Sequence, residues 1–167
     1  MLSIPTEESI TVEWFNACFA KAGLTGEVSG FDAARVGTGQ IGKCVRYTLR
    51  FADQGELPKS VIGKFPSDDE NSRQTGVVLL NFLKEVKFYQ ELQQRVAIKT
   101  PRCYFAEITD QGPEFFLLLQ DLAPAQQGDQ LAGCSPQVAK AALAELVGLQ
   151  APAWCDETLH DLKWLRD

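Results

Sequence analysis

One histidine, His160, stands in the whole sequence, and none of the five cysteines pairs as C-x-x-C. Cys18, Cys44, Cys103, Cys134 and Cys155 are nowhere closer than 21 residues, and their odd number argues against a disulfide framework. Reduced thiols packed as small hydrophobes, as in a cytoplasmic protein, are the expectation. A single imidazole is too little for a zinc site with these cysteines. Without a G-x-S-x-G elbow, His160 has no poised serine to activate. No block of Lys or Arg interrupts a chain of formal net charge -6 and pI about 4.9, which argues against a nucleic-acid backbone or an anionic membrane as the main partner. The start, "MLSIPTEESI", lacks the basic region and apolar run of a signal peptide. The apolar run in "EFFLLLQDL" is far too short to span a bilayer. Repeats and low-complexity segments are also missing.

What is present fits one ordinary soluble domain with a real core: 167 residues, 45% of them apolar and 23% charged. Residues 11–22 carry Val12, Phe15, Phe19 and Ala22 at helical spacing, with Gly23 as the stop. "EVSGFDAARV" reads as a strand with a break at Gly30. Val45, Tyr47, Leu49 and Phe51 alternate with Cys44, Arg46, Thr48 and Arg50, the period of a half-buried strand. "KSVIGKF" is the next short strand, and a helical pattern then runs from about Thr75 to Val96. "RCYFAEI" and "EFFLLLQ" flank the turn residues "TDQGP". Ser135 and Pro136 open a last helix, to about Gln150, by N-cap and first-turn preference. The expected order is helix, three strands, helix, two strands, helix.

Gly37, Gly39 and Gly42 have the G-x-G-x-x-G spacing, which serves two unrelated phosphate-binding designs. In a dinucleotide fold the glycines lie between a strand and a helix; in a kinase-type lobe they form the turn of a hairpin. Here strands flank them on both sides, which excludes the first design. Glycines suit the second because backbone N–H groups approach phosphate oxygens with no Cβ in the way. Lys64 sits on a strand 22 residues after Gly42, between apolar neighbours, and such a lysine needs an anion. On a helical wheel Leu79, Phe82, Leu83, Val86 and Tyr89 share one face, with Glu85 at its edge; Lys84, Lys87 and Glu91 point away. Glu85 is thus the carboxylate aimed at the sheet, where it can pair with Lys64.

The run "VGTGQIGKCVRYTLRF … VIGKF … KEVKFYQEL … TPRCYFAEI … FFLLLQDLAPA … GDQLAGCS" resembles the N-terminal lobe of the aminoglycoside phosphotransferase family, in its ecdysteroid-kinase-like branch. The resemblance implies an α+β fold: a protein-kinase-like N-terminal lobe of about five antiparallel strands and one helix, preceded by a helix. It divides the chain into a nucleotide-binding lobe at 1–122, a linker at 123–134 and the start of a truncated helical second lobe at 135–167. ATP would lie under Gly37, Gly39 and Gly42, with Lys64 as the nucleotide lysine, Glu85 as its helix partner, and backbone groups at about Gln120 and Leu122 meeting adenine. The family's catalytic aspartate comes from an H-x-D-x-x-x-x-N segment; here position 162, two after His160, is Leu. No catalytic or metal-binding residue is therefore expected in this chain, and Mg ligands and the small-molecule acceptor belong to the second lobe. The implied function is the ATP-binding lobe of a small-molecule phosphotransferase, inactive alone; the alternative is a non-catalytic nucleotide- or partner-binding module. Leu143, Leu146, Val147, Trp154, Leu162, Trp164 and Leu165 would lack neighbours, so self-association through 136–167 is expected.

Overall fold

The computed structural model describes residues 2–37, 41–129 and 131–166. The chain forms two compact units, residues 1–86 with 102–121, and residues 87–101 with 122–167.

The first unit is built on a five-stranded sheet of order β1-β2-β3-β5-β4, every neighbouring pair antiparallel. Its strands are β1 (Glu27–Val36), β2 (Gly42–Asp53), β3 (Ser60–Pro66), β4 (Cys103–Ile108) and β5 (Phe115–Gln120). The alternation read in β2 is the alternation observed: Val45, Tyr47 and Leu49 are buried, while Thr48 and Arg50 are exposed. The break expected at Gly30 is a shift of register between Val28 and Gly30 inside one continuous strand. Helix α1 (Val12–Lys21), capped by the Thr11 side chain accepting from the Trp14 amide, lays Phe15, Cys18 and Phe19 on one face of the sheet. There they meet Val45, Tyr47, Val61, Phe65, Phe105, Phe116 and Leu118 in a single core. Burying each such side chain contributes on the order of 1.5–3 kcal/mol.

The other face receives Phe115 and Leu117, both buried. Phe82 stacks on Phe115 with ring centroids 4.6 Å apart. The continuous helix expected from Thr75 to Val96 is instead broken. Helix α2 (Glu70–Val78) begins earlier, capped by Asp69, and α3 (Asn81–Lys87) follows; Leu80 between them has a φ of 55°. A left-handed residue ends the α2 hydrogen-bond ladder, so the two helices do not share one wheel. Leu79, expected on the apolar face, is 54% exposed as a result, whereas Phe82 and Val86 are buried. Beyond α3 the backbone widens into a π turn at Phe88–Leu92 and tightens into a 3₁₀ turn at Gln93–Arg95.

In the second unit, helix α4 (Pro136–Ala153) starts where Ser135 caps the Val138 amide and runs past the expected end at Gln150. The Ala97 amide donates to the Gly148 carbonyl at 2.8 Å, and Arg95 pairs with Asp156 at 2.6 Å. Leu143, Val147 and Trp154 are exposed, as expected of that segment. Trp164 is not: it is buried, and its indole N–H donates to Glu91 at 2.7 Å. Its neighbour comes from the turn after α3, a partner 73 residues away that helical spacing does not show. No helix among the described residues is long and apolar enough to cross a membrane.

Candidate functional site

Of the residues singled out by the sequence, Lys64 and Glu85 meet on the face of the sheet opposite α1. Antiparallel register sets Cys44 across from Lys64 and Lys64 across from Leu117, and in the next row Ala34, Arg46, Ile62 and Leu119 are aligned. Directly opposed residues share a face, so these two rows form one surface. Lys64 Nζ donates to both oxygens of Glu85, at 2.7 and 2.6 Å. The side chains are 27% and 33% exposed, so the pair is half-buried and open to a further ligand. The seven residues of α3 suffice to aim Glu85: Phe82 and Val86 dock on the sheet, and Glu85 lies beside them.

Gly42, the last glycine of the spacing, starts β2 beside this pair. A Cβ there would come within 3.0 Å of the Phe65 carbonyl oxygen and 3.3 Å of Lys64 Cε. A side chain at 42 would therefore push into the lysine stem. Gly37, at the end of β1, has a φ of 74°, a left-handed conformation that a Cβ disfavours. Gly39 lies outside the described residues.

Gln120 closes β5. Its amide donates to the Arg102 carbonyl at 2.8 Å, and its side chain accepts from the Arg102 amide at 3.2 Å. Leu122 belongs to the second unit and is 52% exposed. Between them lies a feature that sequence reasoning missed. Arg46 reaches Asp121 through Nε at 2.6 Å and Nη2 at 3.2 Å, and the Ser60 hydroxyl donates to the same carboxylate at 2.8 Å. The Asp121 side chain is only 5% exposed, and bidentate pairing is what makes such burial tolerable. The carboxylate raises the pKa of Arg46, fixing its charge. The only local signal was Arg46 itself, a cation on the side of β2 opposite α1.

Cys44 is not an activated nucleophile. Burial pushes its thiol up, and the lowering by Lys64 is opposed by Glu85. His160 is exposed on a 3₁₀ turn (Glu157–Asp161). A cavity of about 430 Å³ opens elsewhere in the first unit, against Thr6, Lys43, Phe65, Ser67 and Phe115 rather than against Lys64. Among the described residues no group of three His, Cys, Asp or Glu side chains is placed to hold a metal ion.

Fold and site together define an α+β protein: a five-stranded antiparallel sheet with a lysine–glutamate pair on one face and Gly42 beside it. No family model matches the chain, and no curated protein matches it.

Proposed function

We propose that the Lys64 face is a nucleotide site, and that this chain is the ATP-binding lobe of a small-molecule phosphotransferase with a kinase-like fold. One observation carries the reading: the Lys64 ammonium is held between both oxygens of Glu85 directly beside the side-chain-free Gly42. An ammonium so positioned is pre-oriented, retains exposed surface for a second anion, and lies where backbone N–H groups can approach without obstruction. In a nucleotide complex Lys64 would meet phosphate oxygens and Gly37 and Gly42 would open the backbone to them. Cys44, Ile62 and Leu119 would offer the base an apolar surface. Phosphoryl transfer is mostly positioning and electrostatics, and these residues supply the nucleotide's share of it. The acceptor hydroxyl needs an aspartate to orient it, and no H-x-D-x-x-x-x-N segment occurs in this sequence. The reading for these residues is therefore nucleotide binding rather than turnover. The second reading is a non-catalytic nucleotide-binding module; acceptor-dependent ADP formation by the chain would eliminate it.

Calorimetric titration with ATP, with and without magnesium, tests the assignment. One wall of a cleft should bind with a Kd of about 0.1–1 mM. Lys64→Met should weaken this about tenfold, the scale of one charge-assisted contact. Glu85→Gln should weaken it less, because Glu85 orients the lysine rather than touching the ligand. Both variants binding ATP as the parent does would overturn the assignment.

A further inference from the structure

The cavity of about 430 Å³ in the first unit is lined mainly by three segments, residues 4–8, 65–68 and 113–115. Its volume is within the range of about 300–1,000 Å³ that small-molecule sites occupy. Phe65 and Phe115 give it buried aromatic wall, and Pro5, Pro66 and Pro113 add apolar surface. A proline carries no N–H, so at those three positions the wall has no main-chain donor. The two cations that line the cavity are already engaged. Lys43 pairs with Glu7 at 2.7 Å and with Asp68 at 2.6 Å, and only 14% of its side chain is exposed. Arg73 donates to the Ser67 and Asp68 carbonyls at 2.8 and 2.9 Å and pairs with Glu70. The carboxylates are not all used. Glu7 and Asp68 hold Lys43, but Glu8 and Glu114 have no ion-pair partner among the described residues. The Glu8 carboxyl is held below its ordinary range by its own amide and by Thr6, and it is close enough to Lys43 and Asp68 to feel both charges. One donor is also left over. Ser67 is only 8% exposed; its hydroxyl accepts from the Asp69 amide at 3.2 Å and donates to no group among the described residues.

We propose that this cavity binds a small organic cation: an ammonium group on an apolar body that also carries an oxygen. The ammonium meets Glu8 and Glu114, the body lies against the proline and phenylalanine wall, and the oxygen accepts from Ser67. An anion of the same shape would face two unpaired carboxylates, with both lining cations already committed elsewhere. A neutral molecule would fill the apolar space but leave those carboxylates without a partner. The cavity is separate from the Lys64 face, so the proposal stands or falls independently of the nucleotide reading.

The test uses the full chain and three probes of one shape: phenylethanolamine as its cation, the neutral phenylethanediol and the anion mandelate. Backbone amide shifts in NMR titrations report both affinity and place. Phenylethanolamine should bind with a Kd on the order of 1 mM, modest because the probe is small. It should shift the amides of Glu7, Glu8, Ser67 and Phe115 and leave those of Cys44 and Glu85 where they are. The diol should bind about tenfold more weakly, and mandelate more weakly still. A chain of net charge -6 attracts any cation diffusely, so a carboxylate elsewhere serves as control. Glu8→Gln and Glu114→Gln should each weaken phenylethanolamine about threefold, the scale of an exposed charge pair. Glu27→Gln, at the exposed start of β1, should leave it unchanged. Ser67→Ala should weaken phenylethanolamine about threefold and spare phenethylamine, which lacks the oxygen. Equal binding of the diol or of mandelate would overturn the proposal, as would equal losses from Glu27→Gln and Glu8→Gln. So would Ser67→Ala acting equally on both amines, shifts centred on the Lys64 face, or no saturable shift at all.

Discussion

On one face of the sheet, Tyr47 meets Phe15 of α1 with ring centroids 5.3 Å apart, Phe105 and Phe116 meet Trp14 of α1 at 5.3 and 5.5 Å, and Phe65 packs on Phe116 at 4.7 Å. On the other, the same strands present Lys64, Arg46 and Ser60, each facing a carboxylate at 2.6 to 2.8 Å. The first surface is complementary to itself, and its contacts are numerous, non-directional and closed to water. The second consists of a few directional contacts that leave part of each cation exposed. Apolar packing and charge pairing are thus divided by the pleat: successive residues of β2 and β3 serve one and then the other. Substitutions on the two faces should separate accordingly.

Phe116→Ala should have the largest effect. Phe116 is fully buried and touches Trp14, Phe65 and Phe105, so its loss should cost about 3–5 kcal/mol. Urea unfolding should show a lower midpoint at an unchanged slope. A loss below about 1 kcal/mol would mean that the ring contacts carry little of the core's stability.

Tyr47→Phe is the intermediate case, and its sign is favourable. Tyr47 is buried, and its hydroxyl has no hydrogen-bond partner among the described residues. Removing an unsatisfied buried hydroxyl should stabilise the protein by about 1 kcal/mol. Burial, and secondarily the charges of Glu7 and Glu8, raise the pKa of Tyr47. The unfolded chain therefore releases this proton from about pH 10 while the folded chain keeps it, and stability falls as pH rises above that point. The phenylalanine variant should lose this part of the alkaline decline, measurable by urea unfolding at pH 7 and again near pH 10.5. A variant less stable than the parent would show that the hydroxyl is satisfied after all.

Lys64→Met should have the smallest effect on stability. It strips Glu85 of its partner, but with each side chain about a third exposed or less the cost should stay below about 1 kcal/mol. Thermal unfolding of parent and variant side by side gives the answer. A loss as large as that of Phe116→Ala would make the pair a part of the core and dissolve the distinction between the faces.

Much of the polar face could be read from local spacing, because period two in β2 and β3 and a helical turn around Glu85 are short-range patterns. Lys64 and Glu85 lie 21 residues apart, and each was found by asking which charge its own element turned toward the sheet. Leu80 could not be found that way. Nothing in "VVLLNF" carries the glycine or proline that marks a break, so the apolar wheel ran straight through a left-handed residue and put Leu79 inside. Asp121 was equally hidden. Its partners Arg46 and Ser60 come from β2 and β3, 75 and 61 residues earlier, and only strand order brings them together. The Glu91–Trp164 contact has the same cause. Contacts within one element were legible, and contacts set by topology were not.

The Asp121 contact has a mechanical side. A strand end is ordinarily the first part of a sheet to peel, one backbone bond at a time. At the end of β5 a side chain from β2 and another from β3 grip the residue that follows the last paired position. Tension on the chain beyond that residue would load three strands in parallel rather than unzip one, so the end of β5 should yield under pulling later than the open ends of its neighbours.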